Sequence, residues 1–386
     1  MHGGLLEQPQ EMRRRACYAA FTTPHHGPEL QWPQQSLTPH LPRTILRSPS
    51  CVIRATIRCW QTAMTQYDVF NGDADGLCAL HQLRLADPAD AVLITGVKGD
   101  IALLQHAPAG AGDRVTVLDI SMDANRGPLL AMLARGAAVL YVDHHSSKEI
   151  PAHPLLHALI DHSPDTCTGL IVDSYLGGRF RIWAIVAAFG DGFDTRAEQL
   201  ALSIGLDPDH TAALRELGIC LNYNAYGDAI TDLVSHPALL YTALHRYTDP
   251  FAFMRSEPLY GRIKATRDAD LDRAARRSRH LPSVAGQVVL LPDARWSRRV
   301  RGIYANQLSR ANPAQAHALL CARAGGGYTV SVRAPRVGPD ALRGADGLCR
   351  LFEGGGRPAA ASIARLPGPQ RDAFIREFET AFGPGR

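Results

Sequence analysis

From Met64 onward, short apolar runs alternate with longer stretches of helical period. The apolar runs at 67–70, 91–97, 114–118, 137–142 and 182–189 predict strands. Helical spacing predicts helices at 76–86, 101–106, 126–135 and 167–176 between them. Near-continuous apolar strands alternating with helices imply a parallel sheet covered on both faces. Residues 196–280 read as mostly helical, interrupted at Pro208, Pro237 and Pro250. The pattern changes again near 284. Strands are expected at 286–291, 317–322 and 328–333, with helices at 301–310 and 339–351. The expected organisation is an α/β domain over 64–195, a helical connector over 196–280 and a second, smaller α/β domain over 281–386.

Residues 1–63 differ from the rest. They are rich in Pro, Gln, Arg and His and show no sustained hydrophobic period. An Arg-rich transit peptide, a disordered tail and a wrongly extended reading frame compete. The last is favoured, because organised sequence begins abruptly at Met64.

Composition narrows the class. Of 386 residues, 46% are apolar and 20% charged, which is globular rather than disordered. No apolar run approaches the roughly 18 residues of a membrane-spanning helix, so a cytoplasmic protein is expected. Eight cysteines occur without a Cys-x-x-Cys pair, which argues against a zinc ribbon or disulfide framework. The net charge of +4 conceals a split. Residues 64–280 hold 19 basic and 27 acidic groups, a net of −8, whereas 281–386 hold 15 and seven, a net of +8. An acidic part suits metal cations and an Arg-rich part suits phosphates.

The acids lie at particular places. Phe70 leads into Asp73-Ala74-Asp75-Gly76, Leu118 into Asp119, Val142 into Asp143-His144-His145, and Phe189 into Gly190-Asp191. In a parallel sheet these strand ends gather along one edge, where open α/β sheets bind ligands. Crowded carboxylates repel one another, and a divalent cation relieves that repulsion. Carboxylates with imidazole suit Mn²⁺, with Mg²⁺ as an alternative. Five acids and two His exceed the needs of one ion and suit a two-ion site for phosphoryl transfer. Taken singly, an Asp after a strand is more often a helix cap. Asp-x-Asp-Gly alone also resembles a calcium loop, but Arg84 stands where that loop needs its acidic twelfth residue. The joint pattern carries the weight.

That pattern resembles the DHH phosphoesterase family, in the family's motif order. The C-terminal part resembles the DHH-associated domain of the RecJ and nano-RNase branches. The resemblance rests there on Gly354-Gly355-Gly356-Arg357-Pro358-Ala359-Ala360-Ala361-Ser362 and on Ser331-Val332-Arg333. It implies that Asp73, Asp75, Asp119, His144 and Asp191 ligate two Mn²⁺ ions, with Asp119 and Asp191 bridging. It also implies that His145 contacts the scissile phosphate or leaving oxygen and that Asp143 supports the His pair. Arg333, Gly354, Gly355, Gly356 and Arg357 would grip the substrate's phosphate. Departures from the family pattern are Val69 for a His in some branches, Asn71 for a RecJ-branch Asp, Arg357 for His and Ser362 for Gly.

Other features read as structural. Arg298, Arg299 and Arg301 read as a solvated face. Asn222–Asp228 reads as a connector between helices. Lys98 reads as the soluble end of a strand, and Cys78 as a small buried residue.

The expected activity is metal-dependent hydrolysis of short oligonucleotides or small nucleotide phosphoesters. No Walker loop argues for ATP-driven chemistry. The balanced charge beyond residue 63 and the low aromatic content of 7% argue against tight binding of long strands. Polyphosphate or pyrophosphate hydrolysis and a non-catalytic nucleotide or metal sensor stay open, as does a homodimer.

Overall fold

The computed structural model describes residues 64–338 and 341–383, so the readings of 1–63 lie outside the described residues. Five strands form the first sheet: β1 (Gln66–Phe70), β2 (Ala91–Thr95), β3 (Arg114–Leu118), β4 (Ala138–Asp143) and β5 (Leu156–Ile160). All pairings are parallel, in the order β2-β1-β3-β4-β5. Alternate residues feed opposite cores, as the period of two requires. Phe70, Leu118, Leu140 and Val142 face one layer, while Val69, Val117, Val139 and Tyr141 face the other. The first layer holds α1 (Ala74–Ala86), α3 (Thr168–Tyr175) and α4 (Arg181–Gly190). The second holds α2 (Arg126–Ala134). The chain leaves β1 on one side for β2 and returns on the other for β3. Their C-terminal ends therefore flank a switch point, where α/β sheets open a crevice.

Two predicted elements differ. Residues 182–189 are not a strand but most of α4. Every residue from Trp183 to Gly190 is buried, so the helix is apolar all round and shows no period. The stretch 101–106 holds only a 3-10 turn at Leu103–His106. Pro108 biases Ala107 out of the helical region, and Ala107 is extended. The sequence pattern also left out β5, a half-buried edge strand containing His157.

The connector holds α5 (Asp194–Ser203), α6 (Pro208–Ala225), α7 (Pro237–Leu244), α8 (Pro250–Ser256) and α9 (Pro258–Arg277). The prolines read as interruptions are helix starts, where the missing N–H costs nothing. The side chains of Asp207, His236 and Asp249 cap those three helices, and Glu257 caps α9, which opens on Pro258 in the same way.

The second sheet contains β6 (Arg279–Leu281), β7 (Gly286–Leu291), β8 (Ala316–Ala322), β9 (Tyr328–Arg333), β10 (Gly355–Arg357) and β11 (Ala360–Leu366). Its order is β10-β11-β9-β8-β7-β6, and only β7–β8 is parallel. α10 (Arg295–Ala311) makes that crossover. It covers the face carrying Val289, Leu291 and Leu319 and joins it to the first core through Val300, Tyr304 and Ala305. The far face packs on α11 (Ala345–Arg350) and α12 (Arg371–Phe382), with Phe374 and Phe378 at its centre. The predicted helix at 339–351 is thus α11, and 339–340 lie outside the described residues. No described helix is long and apolar enough to cross a membrane.

The cluster Arg298, Arg299 and Arg301 is not a solvated face. Arg298 pairs with Asp232 at 2.9 Å, Arg299 with Asp270 at 2.6 Å and Arg301 with Asp228 at 2.6 Å. Arg299 Nε also donates to Tyr223 Oη at 2.9 Å. These pairs fasten α10 to the connector. Helical periodicity places the arginines on a face, but their acids come from 29 to 73 residues away.

A buried pair sets the seat of α1 on the sheet. Arg84 Nε donates to Asp68 Oδ2 at 2.8 Å, and both residues are fully enclosed. Removing one partner of such a pair leaves an uncompensated charge and costs about 3–5 kcal/mol. Arg84→Met is expected to lower unfolding stability by that order in urea titrations. Asp68→Leu combined with Arg84→Met should recover most of the loss. A single variant as stable as the parent would refute this account of the pair.

Candidate metal centre

The acidic motifs after β1, β3 and β4 converge at one sheet edge, as strand ends of a parallel sheet predict. Asp73 caps α1, with Oδ1 accepting from the amides of Asp75 at 3.0 Å and Gly76 at 3.1 Å. Asp75 points across to the start of α3. It accepts from the amides of Thr168 at 2.8 Å and Gly169 at 2.7 Å. Those unpaired amides and the helix dipole favour a negative charge there. Asp119 follows β3 with φ of +58°, an unusual conformation for a non-glycine residue and one that clusters at functional sites. Asp143 is the last residue of β4 and is fully buried.

The two histidines are held differently. His144 Nδ1 lies 3.0 Å from the Thr166 carbonyl oxygen, which can only accept, so Nδ1 carries the proton. That leaves the Nε2 lone pair facing the acids. Nε2 lies 3.5 Å from Asp119 Oδ1, 3.6 Å from Asp191 Oδ2 and 4.0 Å from Asp75 Oδ2. His145 Nδ1 donates to Asp143 Oδ1 at 2.7 Å, and its ring is partly exposed. Burial pulls the His145 pKa down, but the hydrogen bond to Asp143 and its charge outweigh that, so the pKa lies above its ordinary value.

Asp191 arrives by a route the sequence pattern did not indicate. It is the C-cap of α4, not the residue after a strand. α4 crosses α6 and α1 very closely at glycines. A Cβ on Gly190 would lie 2.2 Å from Ala74 Cβ, and one on Gly218 would lie 2.8 Å from Gly190 N. This contact delivers Asp191 to the cluster.

Among the described residues, two groups of three have ligand atoms within 4.8 Å of one another. They are Asp75, His144 and Asp191, and Asp119, His144 and His145. Carboxylate oxygens with one free imidazole nitrogen fit a divalent cation such as Mn²⁺. The electrostatics fit as well. Burial first, then Asp73, Asp75 and Asp191, push the Asp119 pKa well above the ordinary carboxylate value. The Asp75 pKa is also raised, chiefly by burial. The cluster is short of positive charge, which a cation supplies.

Asp73 belongs to neither group. Its second oxygen pairs with Lys98 Nζ, which also lies 3.1 Å from Asp191 Oδ1 and 3.4 Å from Asn222 Oδ1. Lys98 is therefore part of the site and not a soluble strand end. Asn222–Ala225 is likewise the end of α6 rather than a connector, and Asn222 reaches the cluster. Sequence reasoning also missed Thr168 and Gly169, whose only signal is a Thr-Gly pair opening an apolar run. Val69, where some DHH branches have His, is buried in the apolar core beneath the sheet.

The basic part meets this cluster. Gly354–Arg357 enters the edge strand β10, paired antiparallel with β11. A Cβ on Gly354 would lie 2.4 Å from the Ser362 carbonyl oxygen, so this close pairing needs glycine. Arg357 reaches across to Phe193, its guanidinium carbon 4.9 Å from the ring centroid. The Phe193 ring stands edge-on to His144 at 6.3 Å. Burial raises the Asp191 pKa, but Lys98, then His144, and in smaller part Arg357, hold it below its ordinary value. Arg333 ends β9, with Nε donating to Asn306 Oδ1 at 2.7 Å. Register aligns Arg333, Ala360 and Arg357 across three strands, which puts both arginines on one face.

No protein-family model matches the chain, and no curated protein matches it. Solved structures do. RecJ from Thermus thermophilus in complex with Mn²⁺ matches at 18% identity and TM-score 0.48, over 82% of this chain and 51% of that one. This chain thus spans about half the length of that RecJ. The pGpG-specific phosphodiesterase PggH from Vibrio cholerae matches at 14% identity and TM-score 0.49, covering 82% of this chain and 99% of that one. An exopolyphosphatase-related protein from Bacteroides fragilis matches at 13% identity and TM-score 0.45, covering 83% and 91%. The likeness is one of fold alone.

The glycine contact beneath Asp191 is testable. A Cβ at Gly218 would lie 2.5 Å from the Val186 carbonyl oxygen, so Gly218→Ala must push α4 and α6 apart. Overpacking of this kind costs about 1–3 kcal/mol. Gly218→Ala is expected to lower the melting temperature and weaken Mn²⁺ binding. Gly261→Ala, with open space around its Cβ on α9, should be neutral or stabilising by up to about 1 kcal/mol. Calorimetry that found the two variants alike would remove the argument.

Proposed function

We propose that this protein is a divalent-metal-dependent phosphoesterase of the DHH type. Its substrates would be short oligonucleotides or small nucleotide phosphoesters, with Mn²⁺ the favoured ion. One observation carries the reading. His144 Nε2, freed by the Thr166 contact on Nδ1, faces Asp75, Asp119 and Asp191, and Arg357 stands across the same opening. A cation-binding pole thus faces an anion-binding pole, the arrangement a phosphate ester needs.

When bound, the ion supplies Lewis-acid charge and a nucleophile at neutral pH. The remaining work falls to the chain itself. Asp75, Asp119, His144 and Asp191 would hold the ion. Asp143 fixes the ring of His145 through Nδ1, which turns Nε2 outward. From there His145 donates a hydrogen bond to the ester oxygen as it leaves. Arg357 offers two parallel N–H donors to non-bridging or terminal phosphate oxygens. Arg333, on the same face, adds charge further along the substrate. The exposed edge of β10 at Gly355 leaves room for backbone to approach phosphate closely.

Hydrolysis assays would use Mn²⁺ or Mg²⁺ with RNA and DNA of two to twenty nucleotides, a 3′,5′-bisphosphonucleotide and polyphosphate. The shortest oligonucleotides are expected to disappear first. Asp119→Asn and Asp143→Asn should each lower kcat by about 100-fold or more. Arg357→Ala should cost about 10- to 100-fold in kcat/KM, the worth of a charge-assisted contact. Preference for polyphosphate would replace the nucleotide substrate with an inorganic one. No turnover on any substrate, with Mn²⁺ bound, would overturn the enzyme reading.

A further inference from the structure

Lys98 is the cation already present in the cluster. Its ammonium meets Asp73 Oδ2, Asp191 Oδ1 at 3.1 Å and Asn222 Oδ1 at 3.4 Å. An ammonium has three N–H donors, and these three acceptors use all of them. None is left for substrate, so Lys98 acts as a fixed charge and not as a phosphate grip.

Its backbone is pinned on both sides. The Lys98 amide donates to the Ala225 carbonyl at the end of α6 at 2.9 Å. The Lys98 carbonyl accepts from Asn71 Nδ2 at 3.4 Å. The lysine is thus fixed between the first motif and the connector rather than swinging from a free loop.

The acids around it divide into two sets. Both Asp73 oxygens are engaged, Oδ1 by two backbone amides and Oδ2 by Lys98. Asp191 is shared, with Oδ1 toward Lys98 and Oδ2 toward His144. The two candidate ligand groups are not independent, because both include His144. The Nδ1 of that residue is committed to Thr166, so only Nε2 is available. The geometry therefore provides one ion position centred on His144 Nε2 and one ammonium position on the other side of Asp191.

We propose that Lys98 takes the place of a second divalent ion, so that the site works with one metal ion and one lysine, bridged by Asp191. This rests on the metal-dependent reading above and departs from the two ions expected from the sequence. A lysine contributes one positive charge instead of two and needs no free ion from solution. It also keeps Asp73 and Asp191 from repelling each other in the metal-free protein.

The test is ion stoichiometry in the full chain. Mn²⁺ would be titrated calorimetrically and then counted by elemental analysis, with electron paramagnetic resonance to detect coupled ion pairs. One Mn²⁺ per chain with an isolated-ion spectrum is expected. Two ions with a coupled spectrum would overturn the lysine inference while leaving the metal reading intact. No bound Mn²⁺ would overturn the metal reading itself, and this inference with it. In Lys98→Ala, Asp73 and Asp191 face each other without a cation, and the count is expected to rise from one to two. A folded Lys98→Ala protein that still holds one ion would show that Lys98 does not exclude the second. If that variant does not fold, the count on the unmodified protein decides.

Discussion

Everything at this site follows from gathering like charges in a buried place. A parallel sheet sends its strand ends to one edge, and here those ends carry Asp73, Asp75, Asp119 and Asp143 with little or no solvent contact. Buried carboxylates are costly unless something balances them. Each acid is balanced by a different device. Asp75 rests on the amides of α3, Asp73 on its own helix amides and Lys98, and Asp143 on His145. Asp119 has the weakest support, a Thr168 hydroxyl at 3.4 Å, and sits among the other acids. Burial and its neighbours raise its pKa well above the ordinary value. The carboxylate with the longest supporting hydrogen bond, held at a positive φ, marks where external positive charge is most needed.

The strand-end logic was legible in the sequence because it depends on local order. An apolar run followed by an acid needs no knowledge of distant contacts, and Asp73, Asp75, Asp119 and Asp143 converge accordingly. Asp191 was found for a different reason than the true one. Its apolar lead-in is a helix buried on every side, and such a run carries neither the period of two nor that of 3.6. What places it is the contact between Gly190 and Gly218, 28 positions apart, which no local pattern encodes.

Lys98 was illegible for the same physical reason. At the end of β2 a lysine is ordinarily solvated. Its role depends on the end of α6 lying against that loop, more than 120 residues later, to supply Asn222 and the Ala225 carbonyl. The arginines of α10 repeat the lesson. Helical spacing sets their common face, but only the packing of α10 on the connector brings Asp228, Asp232 and Asp270 to meet them. Net charge by segment did foresee an acidic part and a basic part. It did not foresee that several of the basic groups would be spent on joining them.

Arg357 is one basic group not spent in that way. It is exposed and makes a cation–π contact with Phe193. Such a contact at an exposed site is worth about 0.5–1 kcal/mol. A charge-assisted hydrogen bond is worth about 1.5–3 kcal/mol, and a guanidinium can make two to one phosphate. The magnitudes favour phosphate over the ring, so Phe193 stations the arginine without holding it back. Phe193 also stands edge-on to His144. One aromatic ring therefore stands beside both groups and sets the position of the guanidinium relative to the His144 imidazole. In this arrangement the distance between the two groups is set by packing, and the phosphate ester proposed above is a ligand whose charge would span it.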